Sequence, residues 1–456
     1  MTQTGHNESD GTPLLYRATV FHTPTNAFVM PSADALEAFE DGAVVVAGGR
    51  IVALGDFREV SARTHASQVV DLRPGYLLPG LVDTHVHYPQ VYSVGRMGLP
   101  LLAWLERYIL PDEMCFEDPA YAAQGARDFL NALVRNGTTT ALVFGVHVPA
   151  AQNRLFETAM QFGYRLISGL VTSDRKLLPA MHKTPDQAQH ECAQLIERWH
   201  GQAGLRYALT PRFAVSASDR LLAALGELLE SWPDLYVQTH LNETPDEVTL
   251  VKELFPHQPD YLATYETHGL VQERAVFAHD VHPSSRELAA LAAAGAAVAH
   301  CPSSNTFLGS GLFPFRAHLD HGVRVGLGSD VAAGTSFNLL GEALAAYRVQ
   351  MLQADGLRFT PAQLLYLATR AGAEALRLQN DIGDLKPGKA ADMVLLKPPH
   401  GSQLEVTLRH RDGPADALGS LIALANEESV ARVYLSGREV YRRPTGSLPV
   451  VEASDG

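Results

Sequence analysis

Cysteine is scarce in this sequence: 456 residues hold three, Cys115, Cys192 and Cys301, an odd number with no Cys-x-x-Cys spacing. That excludes a disulfide framework and suits a reducing compartment. Long apolar runs are missing too; none approaches the roughly 20 residues that a membrane-spanning helix needs. Positive charge is short, with 36 Lys and Arg against 50 Asp and Glu and a net charge of −14. This balance argues against a nucleic-acid backbone or an anionic membrane surface as partner. The opening stretch Met1–Pro13 is polar and lacks an apolar core, so it is expected to be a loose end rather than a secretory signal. The cytoplasm is the expected location. No internal repeat or low-complexity tract appears. What remains, 46% hydrophobic and 19% charged, is the composition of a globular chain with ample core.

Short β patterns come first: Leu15–Phe21, then Gly42–Val46 and Ile51–Leu54 around the Gly48-Gly49 turn, then Gln68–Leu72. They read as a small antiparallel sheet. Strands and helices then alternate. Expected strands are Leu81–His87, Thr139–Phe144, Arg165–Val171, Arg206–Thr210, Tyr236–Leu241, Ala275–His279, Ala296–His300 and Val323–Gly328, with helical patterns such as Pro119–Arg135, Pro185–His200 and Leu339–Gln353 between them. Eight strands in this alternation predict a TIM-type (β/α)₈ barrel. After a helix at Pro361–Leu376, β patterns resume at Ala391–Leu396 and Val430–Arg442. The expected organisation is therefore an α/β barrel over 78–380, bracketed by a small discontinuous β-sandwich domain from both chain ends (14–77 and 381–446), with loose ends at 1–13 and 447–456.

The chemistry centres on Leu78–Gln90, where an apolar run ends in His85 and His87. Residues two apart on a strand share a face, so both imidazoles point the same way, a natural half of a zinc site. Other predicted strands end in ligand-type residues: the fifth in His240, the sixth in His279, the eighth at Asp330. Barrel enzymes place their chemistry at these carboxyl ends. Leu205–Ser216 on the fourth strand holds no lysine to bridge two metals, so one Zn²⁺ per chain is expected. Three histidines and an aspartate leave room for a water whose pKa falls to about 7. Glu243, three residues past His240, is placed to move protons. Arg212 offers several rigid donors and the Gln90 amide can donate and accept, so both are candidates to read the polar edge of a ligand. Phe213 supplies an apolar face, and Trp104 either closes the pocket or packs the core, as does Tyr88. His147, His282 and His300 also end strand-like runs and are read as structural, and Cys301 as buried and inert.

Across nearly its whole length the chain resembles the amidohydrolase superfamily and, within it, the guanine deaminases. The resemblance rests on Pro79–Gln90, Asn136–Phe144, Thr210–Phe213, Thr239–Glu243, Phe277–His279, Ala299–Asn305, Gly309–Phe313, Gly326–Gly334 and the return segment Gly383–Asp392. It implies Zn²⁺ on His85, His87, His240 and Asp330, with His279 turned toward the metal-bound water as ligand or as orienter. It implies Asp330 and Glu243 as proton carriers, guanine as substrate, xanthine and ammonia as products, and a homodimer. Asp280 and the Ser173–Lys176 segment depart from the family pattern. The competing readings are another ring deaminase or chlorohydrolase of this superfamily, and a catalytically inactive barrel acting as a scaffold, which predicts missing ligands. A nucleic-acid deaminase lacks support, since no His-x-Glu with Pro-Cys-x-x-Cys is present.

Overall fold

The structure, a computed structural model, describes residues 12–30, 32–66 and 68–444. The expected loose ends lie outside these residues except for Thr12 and Pro13. Four strands precede the barrel: β1 (Leu14–His22), β2 (Glu37–Ala47), β3 (Arg50–Asp56) and β4 (Gln68–Pro79). The barrel strands are β5 (Leu81–His87), β6 (Thr138–Phe144), β7 (Arg165–Gly169), β8 (Val171–Thr172), β9 (Arg206–Pro211), β10 (Tyr236–Leu241), β11 (Ala275–His279), β12 (Ala297–His300) and β13 (Arg324–Leu327). Three more follow: β14 (Met393–Leu396), β15 (Val430–Leu435) and β16 (Arg438–Arg442).

The barrel strands pair in parallel in the order β13-β12-β11-β10-β9-β7-β6-β5, with β8 continuing β7 beyond Leu170 against β9. The single strand expected at Arg165–Val171 is thus interrupted. Strands such as Leu81–His87 and Thr138–Phe144 are buried at every position, because helices cover the outside and side chains fill the inside. Helix starts follow the chemistry of their first turns. Asp118 accepts from the amides of Ala120 and Tyr121 ahead of Pro119–Arg135, and Thr184, Thr244 and Ser284 close capping boxes with Gln187, Glu247 and Glu287.

The ring closes between its first and last strands through both side-chain and backbone hydrogen bonds. Thr84 Oγ1 donates to Leu327 O at 2.8 Å, Asp330 N donates to His85 O at 2.8 Å, and Asp83 accepts from the backbone and hydroxyl of Ser329. One expectation is corrected here. The helix expected at Pro361–Leu376 is two, Pro361–Ala368 and Arg370–Ala375, broken at Thr369, whose φ of −130° and ψ of −87° are not helical.

The remaining seven strands form one sheet in the order β16-β15-β14-β4-β1-β2-β3. It is mixed rather than wholly antiparallel, because β1 and β4 run parallel. The sheet curls so that its two ends meet. Tyr16 of β1 and Tyr434 of β15 stand ring to ring at 5.2 Å, and the turn at Gly437 lies against Val46. This closes a sandwich-like core of Tyr16, Val20, Val44, Leu77, Met393 and Leu395. No helix among the described residues is long and apolar enough to cross a membrane.

Candidate active site

Three barrel strands deliver polar side chains to one end of the ring. His85 and His87 leave β5, His240 leaves β10, and Asp330 follows β13. Their ligand atoms lie within 4.8 Å of one another, and all four residues are buried. Asp330 Oδ1 is 3.2 Å from His85 Nε2 and 3.1 Å from His87 Nε2, while the two nitrogens are 3.2 Å apart. His240 Nδ1–H donates to Arg212 O at 2.6 Å, which leaves its Nε2 lone pair facing the cluster. Burial drives the pKa of His85 down, that of His87 to about 4, and that of His240 well below its usual value. Burial would raise the Asp330 carboxyl, but His85 and the neighbouring imidazoles outweigh it and hold the group well below the usual range. Neutral imidazoles and an ionised carboxylate crowded at this range are the donor set of a divalent transition metal, and the residues fit one.

His279 ends β11 a little further out. Its Nδ1 donates to Asn305 Oδ1 at 2.9 Å, so Nε2 is bare, 3.6 Å from Glu243 Oε2 and 3.7 Å from Asp330 Oδ2. Several residues at these strand ends sit in the left-handed region: Asn242 at φ 47°, His279 at 75°, Asp280 at 45° and Asp330 at 47°. Such backbone strain persists where the surroundings over-determine it, and it concentrates at functional sites. The loop after Asp330 turns back so tightly that a Cβ on Gly334 would stand 1.6 Å from Ser329 O, and only glycine fits.

Glu243 is 3% exposed, and burial, then the charges of Glu247 and Asp330, push its carboxyl well above the usual range. Its neighbour Glu247 accepts from the amides of Glu243 and Thr244 and from the Tyr261 hydroxyl. Burial raises the Glu247 carboxyl too, but these donors offset part of that rise, so Glu243 is the member of the pair pushed up further.

A cleft of about 360 Å³ opens over this cluster, lined by His87, Gln90, Trp104, Arg212, Phe213, His240, Glu243, His279 and Asp330 with apolar Leu101, Leu105, Leu308 and Ala333. Of the residues expected at the site only His85 is not on its wall; it lies behind His87. Trp104 faces the cleft while its indole N–H donates to Arg96 O at 2.6 Å. Tyr88 belongs to the core, against Phe116 and Phe129, with its hydroxyl on Ala122 O. His300 stacks on Phe313 at 4.2 Å, and His282 meets Ser310 O. Asp280 accepts from Asn242 and pairs with His318, while Asp174 accepts from the backbone N–H and hydroxyl of Ser218, the residue that caps the following helix. The sequence departures at these two places are thus absorbed into buried hydrogen bonds.

Two site residues escaped the sequence reading. Asn305, inside a noted motif, fixes the His279 ring. Glu113 binds Arg212 and Gln90 from behind, 99 residues from the arginine in sequence. It sits near the end of a helical run, Leu101–Met114, that widens into a π turn at Leu105–Ile109, a feature frequent at functional sites.

The amidohydrolase family model matches residues 76–440. A probable guanine deaminase from Deinococcus radiodurans is 50% identical over 94% of this chain and 99% of its own length. Among solved structures, the guanine deaminase of E. coli superposes with a TM-score of 0.90 at 37% identity, covering 95% of this chain and 100% of its own. That of C. acetobutylicum, with guanine bound in its active site, gives 0.86 at 25% identity, covering 94% of this chain and 100% of its own. The chain belongs to the amidohydrolase family.

Proposed function

We propose that this protein is a zinc-dependent aminohydrolase that converts guanine and water to xanthine and ammonia. The observation that carries the reading is the shared cleft. A buried Glu243 and the side chains of Arg212 and Gln90 face one cavity above a three-histidine, one-aspartate cluster. A zinc ion on His85, His87, His240 and Asp330 would supply a water acidic enough to attack at neutral pH.

Guanine enters flat, its ring against Phe213 and its carbonyl edge toward Arg212 and Gln90. Glu243 passes its proton to a ring nitrogen, which makes the carbon bearing the amino group more electrophilic. Water adds there and Asp330 takes up the proton released; His279, its tautomer set by Asn305, orients that water. As the C–N bond breaks, Asp330 gives its proton to the amine, which leaves as ammonia, and the new hydroxyl returns a proton to Glu243 as it becomes the second carbonyl. Adenine carries an amino group where guanine has its carbonyl, so the buried donors of Arg212 would face another donor and go unpaired.

A reducing compartment, the cytoplasm, fits the three free cysteines. The test is ammonia release and loss of guanine absorbance with zinc-loaded protein, beside adenine and cytosine. Turnover of guanine alone is expected. A zinc-loaded protein inert on guanine and active on a pterin or triazine would move the substrate elsewhere in the family.

A further inference from the structure

Behind the recognition wall lies a carboxylate that never touches the cleft. Glu113 is 3% exposed, as is Arg212, and it is not among the cleft-lining residues. Its Oε2 accepts from Arg212 Nη1 at 2.7 Å, and its Oε1 accepts from Nη2 at 3.1 Å and from Gln90 Nε2 at 3.0 Å. The other end of the same amide is fixed as well, because Gln90 Oε1 accepts the Ala332 N–H at 3.0 Å.

Counting donors shows what this leaves for a ligand. A guanidinium has five N–H groups, of which Glu113 takes two and fixes the plane of the rest. Gln90 has one amide hydrogen to spare, and its flip is locked by opposite demands at its two ends. Left alone, either side chain would have several rotamers in the cleft. Clamped by one carboxylate, both present donors in a single direction, and a ligand need not supply the entropy of ordering them. Charge is settled too. Burial alone would raise the Glu113 carboxyl, but the Arg212 charge and its hydrogen bonds hold it below the usual range, so it stays ionised. A bidentate pair of one cation and one anion, both buried, is electrically neutral while its outward face remains rich in N–H donors.

We infer that Glu113 is a specificity-determining positioning residue, which aims Arg212 and Gln90 and cancels the arginine's charge so that the cleft takes a neutral purine carbonyl and refuses an anionic purine. This rests on the reading of guanine as substrate. A bare Arg212 in a low-dielectric wall would draw negatively charged rings in preference to neutral ones, because a buried unpaired charge recovers most by acquiring a counter-charge.

The experiment compares zinc-loaded parent, Glu113→Gln and Glu113→Asp. The readouts are metal content, melting temperature, kcat and KM for guanine, and binding by calorimetry of hypoxanthine (a neutral carbonyl purine lacking the amino group) and urate (an anion at neutral pH). In Glu113→Gln the guanine KM should rise about 10–100-fold, the scale of lost hydrogen bonds to a charged group, with a smaller change in kcat. Hypoxanthine should bind more weakly while urate binds about tenfold or more tightly. A gain for the anion is the signature that loosened packing cannot imitate. Glu113→Asp keeps the charge, so it should weaken hypoxanthine and still refuse urate. If Glu113→Gln fails to fold or to hold zinc, the aspartate variant decides alone: a preference switched toward urate overturns the inference. So does a glutamine variant that weakens both ligands equally or leaves both unchanged. A parent inert on guanine, with variants that still exchange hypoxanthine for urate as stated, would defeat the substrate reading and uphold Glu113.

Discussion

Glu243 is buried beside two carboxylates, one of them tied up as an acceptor by three donors, and its carboxyl is pushed well above the usual range, toward the protonated form. That state suits an acid, so Glu243→Gln should lower kcat by about 10²–10⁴-fold with zinc content unchanged. The sign of the pH effect follows: the working form is protonated, so kcat should fall as pH rises through the raised pKa, which a kcat profile on the alkaline side checks. His300 provides the opposite sign, in stability. Burial takes its pKa from 6.5 to about 3, and neither ring nitrogen finds a hydrogen-bond partner. With the folded value depressed, its contribution is intact above 6.5 and is lost as pH falls toward 3, because the unfolded chain takes up the proton first. The slope is about 1.4 kcal/mol per pH unit for this one group. His300→Phe keeps a ring against Phe313 and should flatten that slope in denaturant titrations between these limits. Equal slopes in parent and variant would sink the idea.

Among the elements, the closing seam of the barrel carries the most consequence for the site. Asp83 accepts from His85 N, Ser329 N and the Ser329 hydroxyl, and so links the strand that bears two cluster histidines to the turn that bears Asp330. Asp83→Ala would strand three buried donors, at about 1–3 kcal/mol each. The expected result is a lower melting temperature together with zinc lost during dialysis; retention of the full metal content would show the seam to be independent of the cluster. How legible each element was depends on how local its signal is. His85 and His87 announce a shared face by their spacing, and the strand that ends in His279 is an apolar run with a polar stop. Glu113 has no such signature, since Leu-Pro-Asp-Glu-Met reads as an ordinary helix start and its partner arginine is brought to it only by the closed barrel. The break at Thr369 was hidden for a similar reason. The Pro361–Leu376 pattern is helical throughout, and the deviation arises where the chain packs under the barrel, with Thr369 Oγ1 turned back to Leu365 O.

For the whole molecule, the cluster ties together strands from positions 85 to 330, so a bound metal should stabilise the barrel as a unit. Removing zinc with a chelator is expected to lower the melting temperature, and adding it back to restore it, by linkage worth about 4 kcal/mol when the ion stands at a thousand times its Kd. An unchanged melting curve would separate the metal from the fold. The accessory sheet has a different dependence. Strand β4 lies between β1, from the start of the chain, and β14, more than three hundred residues later. During synthesis the early strands leave the ribosome with one edge of β4 bare, and its partner β14 follows only after the barrel. The whole barrel must be translated before that edge is covered, so a chain cut short before β14 leaves the Tyr76–Pro79 edge of β4 unpaired.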